Sequence, residues 1–301
     1  MIHPFHRHPR RTVTLVLYIA TVLIWGSTWL AITFQLGKVD PTLSVAYRFT
    51  LASLLLFLFC LLTGRNLKFG KKDHLFMFLQ GVFSFSIGYW FVYLAEIRLT
   101  SGLVAVITSS LIFMNMFNGW LLVGSKISRL VVFGSLIGMT GIVLVFWPEL
   151  SAYRSSPKDT AAMVLALFST LIYSFGNIIV VRNRGKNLPV MPTNAYSMAY
   201  GAGIMFFVAI VSGKPFIFEF SPKYIASLFY LAMLGSVVAF YCYFTLIGEI
   251  GAAKAAYGPV VIPVIALAIS SVFEGYRWTP YSFVGIALLI IGNLFVLKKK
   301  S

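Results

Sequence analysis

Residues 249–274, EIGAAKAAYGPVVIPVIALAISSVFE, form the segment that decides the fold class. The segment is apolar and long enough to cross a bilayer, which takes about 20 residues of helix, yet it carries Lys254, Pro259 and Pro263. A proline has no N–H to donate within a helix, and Gly258 adds backbone freedom beside the first proline. Freed carbonyls and cations are tolerated at membrane depth where other helices or a water-filled cavity satisfy them. We therefore predict a transmembrane helix broken at Gly258, Pro259 and Pro263, beside a polar path.

The composition of the whole chain indicates a membrane protein. Hydrophobic residues make up 59% of its 301 residues and charged residues only 11%, whereas a soluble domain has about 25% charged residues. The apolar runs are close to the length of a spanning helix, and barrel strands would instead give alternating segments of about 10 residues. We therefore predict an all-α polytopic protein whose surroundings are the lipid bilayer.

Ten transmembrane spans are predicted from the apolar runs and from the turn residues between them. Residues 1–12 form a basic cytoplasmic tail, residues 13–147 hold the first five spans, and residues 160–297 hold the last five. The joints are short, so no catalytic domain is expected between spans. The predicted spans are residues 13–35, 42–63, 74–94, 100–122, 128–147, 160–181, 193–212, 222–246, 252–272 and 279–297.

The net charge of +16 follows the positive-inside pattern. Lys and Arg lie in short clusters between apolar runs, and most of the 24 fall on the cytoplasmic side if the N-terminus is inside. This distribution predicts two cytoplasmic termini and argues against a nucleic-acid partner. The two cysteines lie in separate spans without a spacing partner, so we expect no disulfide, no metal site and no cofactor.

Weak internal similarity relates the two halves of the chain. Five spans per half is an odd number, so a duplicated unit would enter the membrane upside down the second time, as in many secondary transporters. Chance matching between apolar segments is the alternative. The matched positions are Ala46-Tyr47 with Ala195-Tyr196, Trp25 with Tyr173, and Gly134 and Gly141 with Gly285 and Gly292.

Short motifs along the chain resemble one known family. They are Ile24-Trp25-Gly26-Ser27 in the first span, Arg48-Phe49 in the second, Pro263 with Glu274 in the ninth, and Gly285 with Gly292 in the tenth. With the ten-span plan they are similar to the EamA branch of the drug/metabolite transporter superfamily. The resemblance implies a bacterial inner-membrane carrier, commonly an exporter of amino acids and other small metabolites, with a central cavity between the repeats.

The first repeat departs from this family pattern at two positions. It has Gly124 where a glutamate like Glu274 is usual, and Phe113 where a proline like Pro263 would be expected. Symmetric roles are therefore not expected there. Instead, the second repeat is expected to supply most of the charged and flexible groups.

All eight acidic residues lie in tails, in loops or at span ends. A buried carboxylate is the usual group for proton coupling, and the sequence offers none at mid-membrane. Facilitated diffusion, exchange, or coupling through Glu249 or Glu274 remain open. Lys254 either reaches the interface or binds a carboxylate or phosphate, and Arg48 either forms a structural hydrogen bond or contacts the substrate.

Polar and aromatic side chains within the spans are the candidates for the substrate pathway. Each could instead join helices or anchor the protein at the interface. Thr28, Ser109, Asn118 and Thr245 belong to the same wider set. The predicted pathway residues are Trp25, Ser27, Tyr89, Trp90, Tyr93, Thr108, Asn115, Tyr173, Asn177, Tyr241, Tyr243, Lys254 and Tyr257.

The sequence thus predicts a secondary transporter of small organic solutes, an exporter that works by alternating access. A monomer is compatible with this reading. The alternative is a membrane-embedded enzyme or a lipid-handling protein. Against it, the sequence has no paired carboxylates, no HExxH motif and no phosphate-binding glycine loop.

Overall fold

The computed structural model describes residues 11–99, 101–125, 129–145, 147, 157–273 and 278–297. These residues form ten apolar helices and no strand, which confirms the predicted all-α fold. Six of the helices (α1, α2, α3, α6, α7 and α8) are long and apolar enough to cross a membrane, and the described parts of the other four are shorter. The helices are α1 Arg11–Thr33, α2 Pro41–Leu62, α3 Lys71–Glu96, α4 Ser101–Thr108 with Leu111–Val123, α5 Arg129–Val145, α6 Pro157–Gly185, α7 Val190–Val211, α8 Pro222–Ile250, α9 Ala252–Ala255 with Tyr257–Phe273, and α10 Pro280–Leu297.

Local sequence signals set several helix ends. Pro41 and Pro222 occupy the first position of α2 and α8, where a missing N–H costs nothing. Asp40 caps α2 by accepting a hydrogen bond from the Thr42 N–H at 2.9 Å. Gly124 ends α4 with a φ of +71°, a conformation that favours glycine.

Helix packing follows an approximate twofold relation between the two halves. α2 packs on α7, and α5 packs on α10. α1 contacts α8 and α9 in the same way that α6 contacts α3 and α4. Exchanging the two halves maps the α2–α7 and α5–α10 pairs onto themselves and exchanges the contacts of α1 with those of α6, so the packing agrees with inverted five-helix repeats. Ten helices that alternate in direction place the start of α1 and the end of α10 at one end of the bundle, which we call the terminal end; the opposite end is the far end.

Glycines bring α5 and α10 into close contact. A Cβ atom added at Gly141 would lie 2.5 Å from the Gly285 carbonyl oxygen, and one added at Gly292 would lie 2.5 Å from the Gly134 carbonyl oxygen. The internal repeat matches Gly134 and Gly141 to Gly285 and Gly292, so it exchanges these two contacts. The glycines are therefore packing points that let two backbones approach.

α3 and α8 are both distorted near their centres. α3 breaks at Ser86, and α8 widens to a π-helix over Met233–Val238. Ser86 Oγ donates to the Gly81 carbonyl at 3.2 Å, and Ser236 Oγ donates to the Leu231 carbonyl at 2.9 Å, each five residues earlier in the chain. The two repeats thus bend their third helices at corresponding serines.

The break in α9 differs from the predicted one. The helix is interrupted at Ala256, ahead of Gly258, Pro259 and Pro263, and it then runs without a break from Tyr257 to Phe273. Pro259 is the third residue of this second piece, where its N–H would have had no partner in any case. Pro263 lies within the helix. Because the helix restarts at Tyr257, the prolines follow the interruption.

Candidate functional site

A cavity lies between helices α1, α2, α3, α4, α6, α8 and α9, so both repeats contribute to its wall. About 110 Å³ of it can be reached by the centre of a water molecule. One water needs about 10–15 Å³ on this measure, so the space accepts several waters or a small solute. Its wall is mainly apolar and aromatic with a few polar groups, as is usual for small-molecule sites.

Seven of the predicted site residues line this cavity. Six other predicted residues in the described part of the structure do not: for example, Ser27 is hydrogen-bonded to Tyr230, and Trp90 packs on Phe91. Tyr257, Gly258 and Pro259 belong to a part of α9 for which only the backbone is described. The seven lining residues are Trp25, Tyr89, Thr108, Tyr173, Asn177, Tyr243 and Pro263; those that lie elsewhere in the described part are Ser27, Trp90, Tyr93, Asn115, Tyr241 and Lys254.

Sequence reasoning did not place Arg48 among the predicted pathway residues, although it lines the cavity. Trp29, Ser84 and Phe240 were also missed, while Thr28 was in the wider candidate set. An arginine inside an apolar span is itself a signal for a functional site. For the other three, an apolar sequence gives no indication of which helix face meets the cavity.

Among the described residues of the cavity wall, Arg48 is the charged one. Its side chain is buried, with 1% of the residue exposed, and its Nε donates to Ser236 Oγ at 2.9 Å. The guanidinium carbon lies 4.6 Å from the centre of the Tyr89 ring, a cation–π distance. Tyr93 is fully buried beside it. Nη1 of Arg48 has no hydrogen-bond acceptor among the described residues.

The π-helical segment of α8 positions two residues of this wall, Trp25 and Arg48. Its wider turn exposes the Gly235 carbonyl, which accepts a hydrogen bond from Trp25 Nε1 at 3.1 Å. Because Gly235 has no side chain, Arg48 can lie close: an added Cβ would be 3.3 Å from Arg48 Nη2 and 2.9 Å from a methyl group of Thr28. The segment thus holds both Trp25 and Arg48 at the cavity.

Aromatic rings form the rest of this surface. The Trp25 ring lies 5.0 Å from the ring of Phe240 and 4.9 Å from that of Tyr243. The Tyr89 ring lies 5.4 Å from the Tyr173 ring in an edge-to-face arrangement. These distances are those of attractive aromatic pairs. The cavity therefore offers rigid apolar faces to a bound solute.

A polar network lies between the cavity and the terminal end. Asn177 donates to Asn115 Oδ1 at 3.3 Å and to Tyr243 Oη at 3.1 Å. Asn115 donates to the Ala252 carbonyl at 3.3 Å. The network joins α4, α6, α8 and the first turn of α9. Buried amides that satisfy one another in this way hold helices in one arrangement.

A second polar network lies near the terminal end of α3, α6 and α7. Gln80 donates to Asn194 at 3.0 Å and accepts from Asn183 at 2.9 Å, and all three side chains are buried. Arg182 extends it through contacts with Asn183 and with Asp73, the latter at 3.3 Å. Both networks lie on the terminal side of the cavity.

Lys254 is half-buried in the first short piece of α9, at the terminal end. It does not line the cavity. Glu274, the acidic residue discussed with it, lies outside the described residues. The structure therefore does not bring Lys254 together with the seven predicted residues that line the cavity.

A bundle of two inverted repeats around a central cavity is the architecture of a secondary membrane transporter. The family model described as the EamA-like transporter family matches residues 12–147 and 160–298. The chain belongs to this family, which confirms the resemblance seen in the sequence. It is a multi-pass membrane transporter.

Known relatives agree with this assignment. The protein PagO of Salmonella typhimurium is 24% identical over 290 residues, covering 96% of this chain and 94% of that protein. The uncharacterized inner membrane transporter YedA of Escherichia coli K12 is 25% identical over 280 residues, covering 92% and 88%. An uncharacterized transporter of Archaeoglobus fulgidus is 24% identical over 290 residues, covering 93% and 97%.

A solved crystal structure has the same fold. It superposes with a TM-score of 0.77 at 17% sequence identity and covers 95% of this chain and 96% of its own. At this level of identity the likeness supports the fold alone.

Proposed function

We propose that the protein exports small organic metabolites, such as amino acids, across the bacterial inner membrane by alternating access. The terminal end would face the cytoplasm, because most Lys and Arg residues between spans lie on that side. A small solute and the bilayer would be its partners, and a monomer is compatible with this function. The observation that carries the proposal is a cavity whose wall comes from both repeats.

Shared construction of the cavity links solute binding to movement of the repeats. The first repeat contributes α1 to α4 to the wall, and the second contributes α6, α8 and α9. Rocking of one repeat against the other changes which side of the membrane can reach such a site. The two amide networks on the terminal side support a form closed toward the cytoplasm, and their hydrogen bonds would have to be exchanged in the opposite form.

Helix interruptions border the cavity at places where movement would be needed. α4 is interrupted between Thr108 and Leu111, both of which line the cavity. α8 has its π-segment at Met233–Val238, next to Phe240 of the wall. Such irregular turns exchange hydrogen bonds at a lower cost than a regular helix does. They are the proposed hinges of the transport cycle.

None of the described residues that line the cavity is acidic. A carboxylate that binds and releases a proton is the usual means of coupling. The proposed cycle is facilitated diffusion, exchange of one solute for another, or coupling through a carboxylate outside the cavity wall, Glu249 or Glu274.

The test is solute flux in liposomes that contain the purified protein. A bulky side chain in the cavity, Thr108→Phe, should reduce the flux of the best amino acid or metabolite to the level of empty vesicles. Thr140→Phe is the matched control, because Thr140 is exposed on α5 away from the cavity. If size-exclusion chromatography shows that both variants are folded and their flux is equal, the cavity is not part of the transport pathway.

A further inference from the structure

The charge of Arg48 has no acidic partner in the described part of the chain. A guanidinium stays protonated at all relevant pH values, and burying a charge without a counter-charge is costly. The ion pairs among the described residues join Lys38 to Glu219, Arg182 to Asp73 and Lys214 to Asp40, and none includes Arg48. The site is therefore electropositive and short of one anion.

The hydrogen bonds of Arg48 are also incomplete. A guanidinium carries five N–H donors in a planar fork. Nε is used by Ser236, and the Tyr89 ring covers one face of the guanidinium. Nη1 is left without an acceptor although the side chain is buried at the cavity wall. An oxyanion that enters the cavity would supply the missing acceptor.

The other residues of the cavity wall indicate the chemistry of the rest of the ligand. Trp25, Trp29 and Phe240 present apolar faces, while Thr108 and Asn177 supply a few hydrogen-bonding groups. The small volume of the cavity excludes large solutes. A small planar or aromatic body with one oxyanion group fits this combination.

We infer that Arg48 is the anion-binding residue of the cavity and that the transported solutes are small organic carboxylates with an apolar or aromatic body. This inference rests on the proposed carrier function and deepens it by naming the substrate class. The bidentate fork of arginine matches the two oxygens of a carboxylate. Arg48 therefore takes the role that the sequence analysis considered for Lys254.

The repeat places this charge in one half only. Ala46-Tyr47 of α2 matches Ala195-Tyr196 of α7, so the residue that corresponds to Arg48 is Ser197. Ser197 is buried and is not in the cavity wall. A single anion site, asymmetric between the repeats, agrees with a solute that carries one carboxylate.

The first test uses the wild-type protein in detergent with matched ligand pairs. Phenylacetate, benzoate and indole-3-acetate are each compared with the corresponding primary amide, by thermal unfolding and by quenching of tryptophan fluorescence. At least one carboxylate should bind and stabilise the fold, with affinity about 10- to 100-fold above that of its amide, the range expected for a hydrogen bond to a charged group. Equal binding within each pair, or no binding by any carboxylate, overturns the inference.

The second test compares Arg48→Gln with Lys254→Gln. Arg48→Gln should weaken carboxylate binding by about 10-fold or more and leave amide binding unchanged, whereas Lys254→Gln should change neither by more than about 2-fold. The opposite order would assign the anion to Lys254. Should Arg48→Gln fail to fold, Arg48→Lys keeps the charge and the wild-type ligand pairs remain decisive.

Two further arms separate the inference from its alternatives. Phosphatidylglycerol added to the micelles tests for a lipid headgroup: competition by this lipid without binding of any soluble carboxylate overturns the inference. In liposomes, a flux of neutral solutes that is the same in Arg48→Gln and wild type would support the carrier function and refute the anion site. Carboxylate binding that depends on Arg48, without flux of any solute, would support the anion site and refute the carrier function.

Discussion

Adding one methyl group at Gly141 should separate α5 from α10. The Cβ of Gly141→Ala would lie 2.5 Å from the Gly285 carbonyl oxygen and 2.9 Å from the Leu289 nitrogen. Both are backbone atoms of a packed helix, so no flexible side chain can move aside. Ordinary contact begins at 3.4 Å, and the two backbones must therefore move apart by about 0.9 Å.

The cost can be bounded from the size of this overlap. Forcing a methylene group into a well-packed interface costs about 1–3 kcal/mol. Replacing glycine by alanine also stabilises a helix by up to about 1 kcal/mol, because alanine has the higher helix propensity. Gly203→Ala is the matched control, because Gly203 is exposed on α7 and an added Cβ meets no atom within 4 Å. We expect Gly141→Ala to be less stable than Gly203→Ala by about 1–3 kcal/mol.

The measurement is the free energy of unfolding by dodecyl sulfate titration in mixed micelles. No described residue of α5 or α10 lines the cavity, so flux per folded molecule should stay at the wild-type level. Gly292→Ala makes the corresponding contact with Gly134, and the double variant should cost less than the sum of the two, because one separation relieves both overlaps. A Gly141→Ala protein as stable as Gly203→Ala would refute the close crossing.

Two other substitutions test features outside this crossing. Asn177→Leu leaves buried polar atoms of Asn115 and Tyr243 without their donor, so it should lower the unfolding free energy by about 1–3 kcal/mol; an unchanged value would mean that the network does not hold the terminal side closed. Burial raises the pKa of Asp40, but hydrogen bonds from Lys214 and Thr42 outweigh this and leave that pKa below its usual value. Asp40→Asn keeps the capping oxygen and should lower the thermal midpoint at pH 7. The difference in thermal midpoint between wild type and Asp40→Asn should disappear as the pH falls below about 4, because the wild-type carboxylate then becomes protonated and neutral. A difference that persists at low pH would contradict this.

The amino-acid sequence alone determined the ten-helix plan. A bilayer fixes the length of a spanning helix and requires every backbone group to be satisfied within it. The number of apolar runs therefore predicts the number of spans. The matches of Gly134 and Gly141 with Gly285 and Gly292 indicate the internal repeat. These are properties of local sequence and of the surrounding lipid.

The tertiary structure decided which polar groups act together. Lys254 and Arg48 are both cations within predicted spans, and only the packing of α2 against α8 shows that Arg48 reaches the cavity through Gly235 and Ser236. The position of the break in α9 was decided in the same way, since the effect of Pro259 depends on where its helix restarts. Helix faces meet through contacts between distant residues, and for this reason the cavity could not be read from hydropathy.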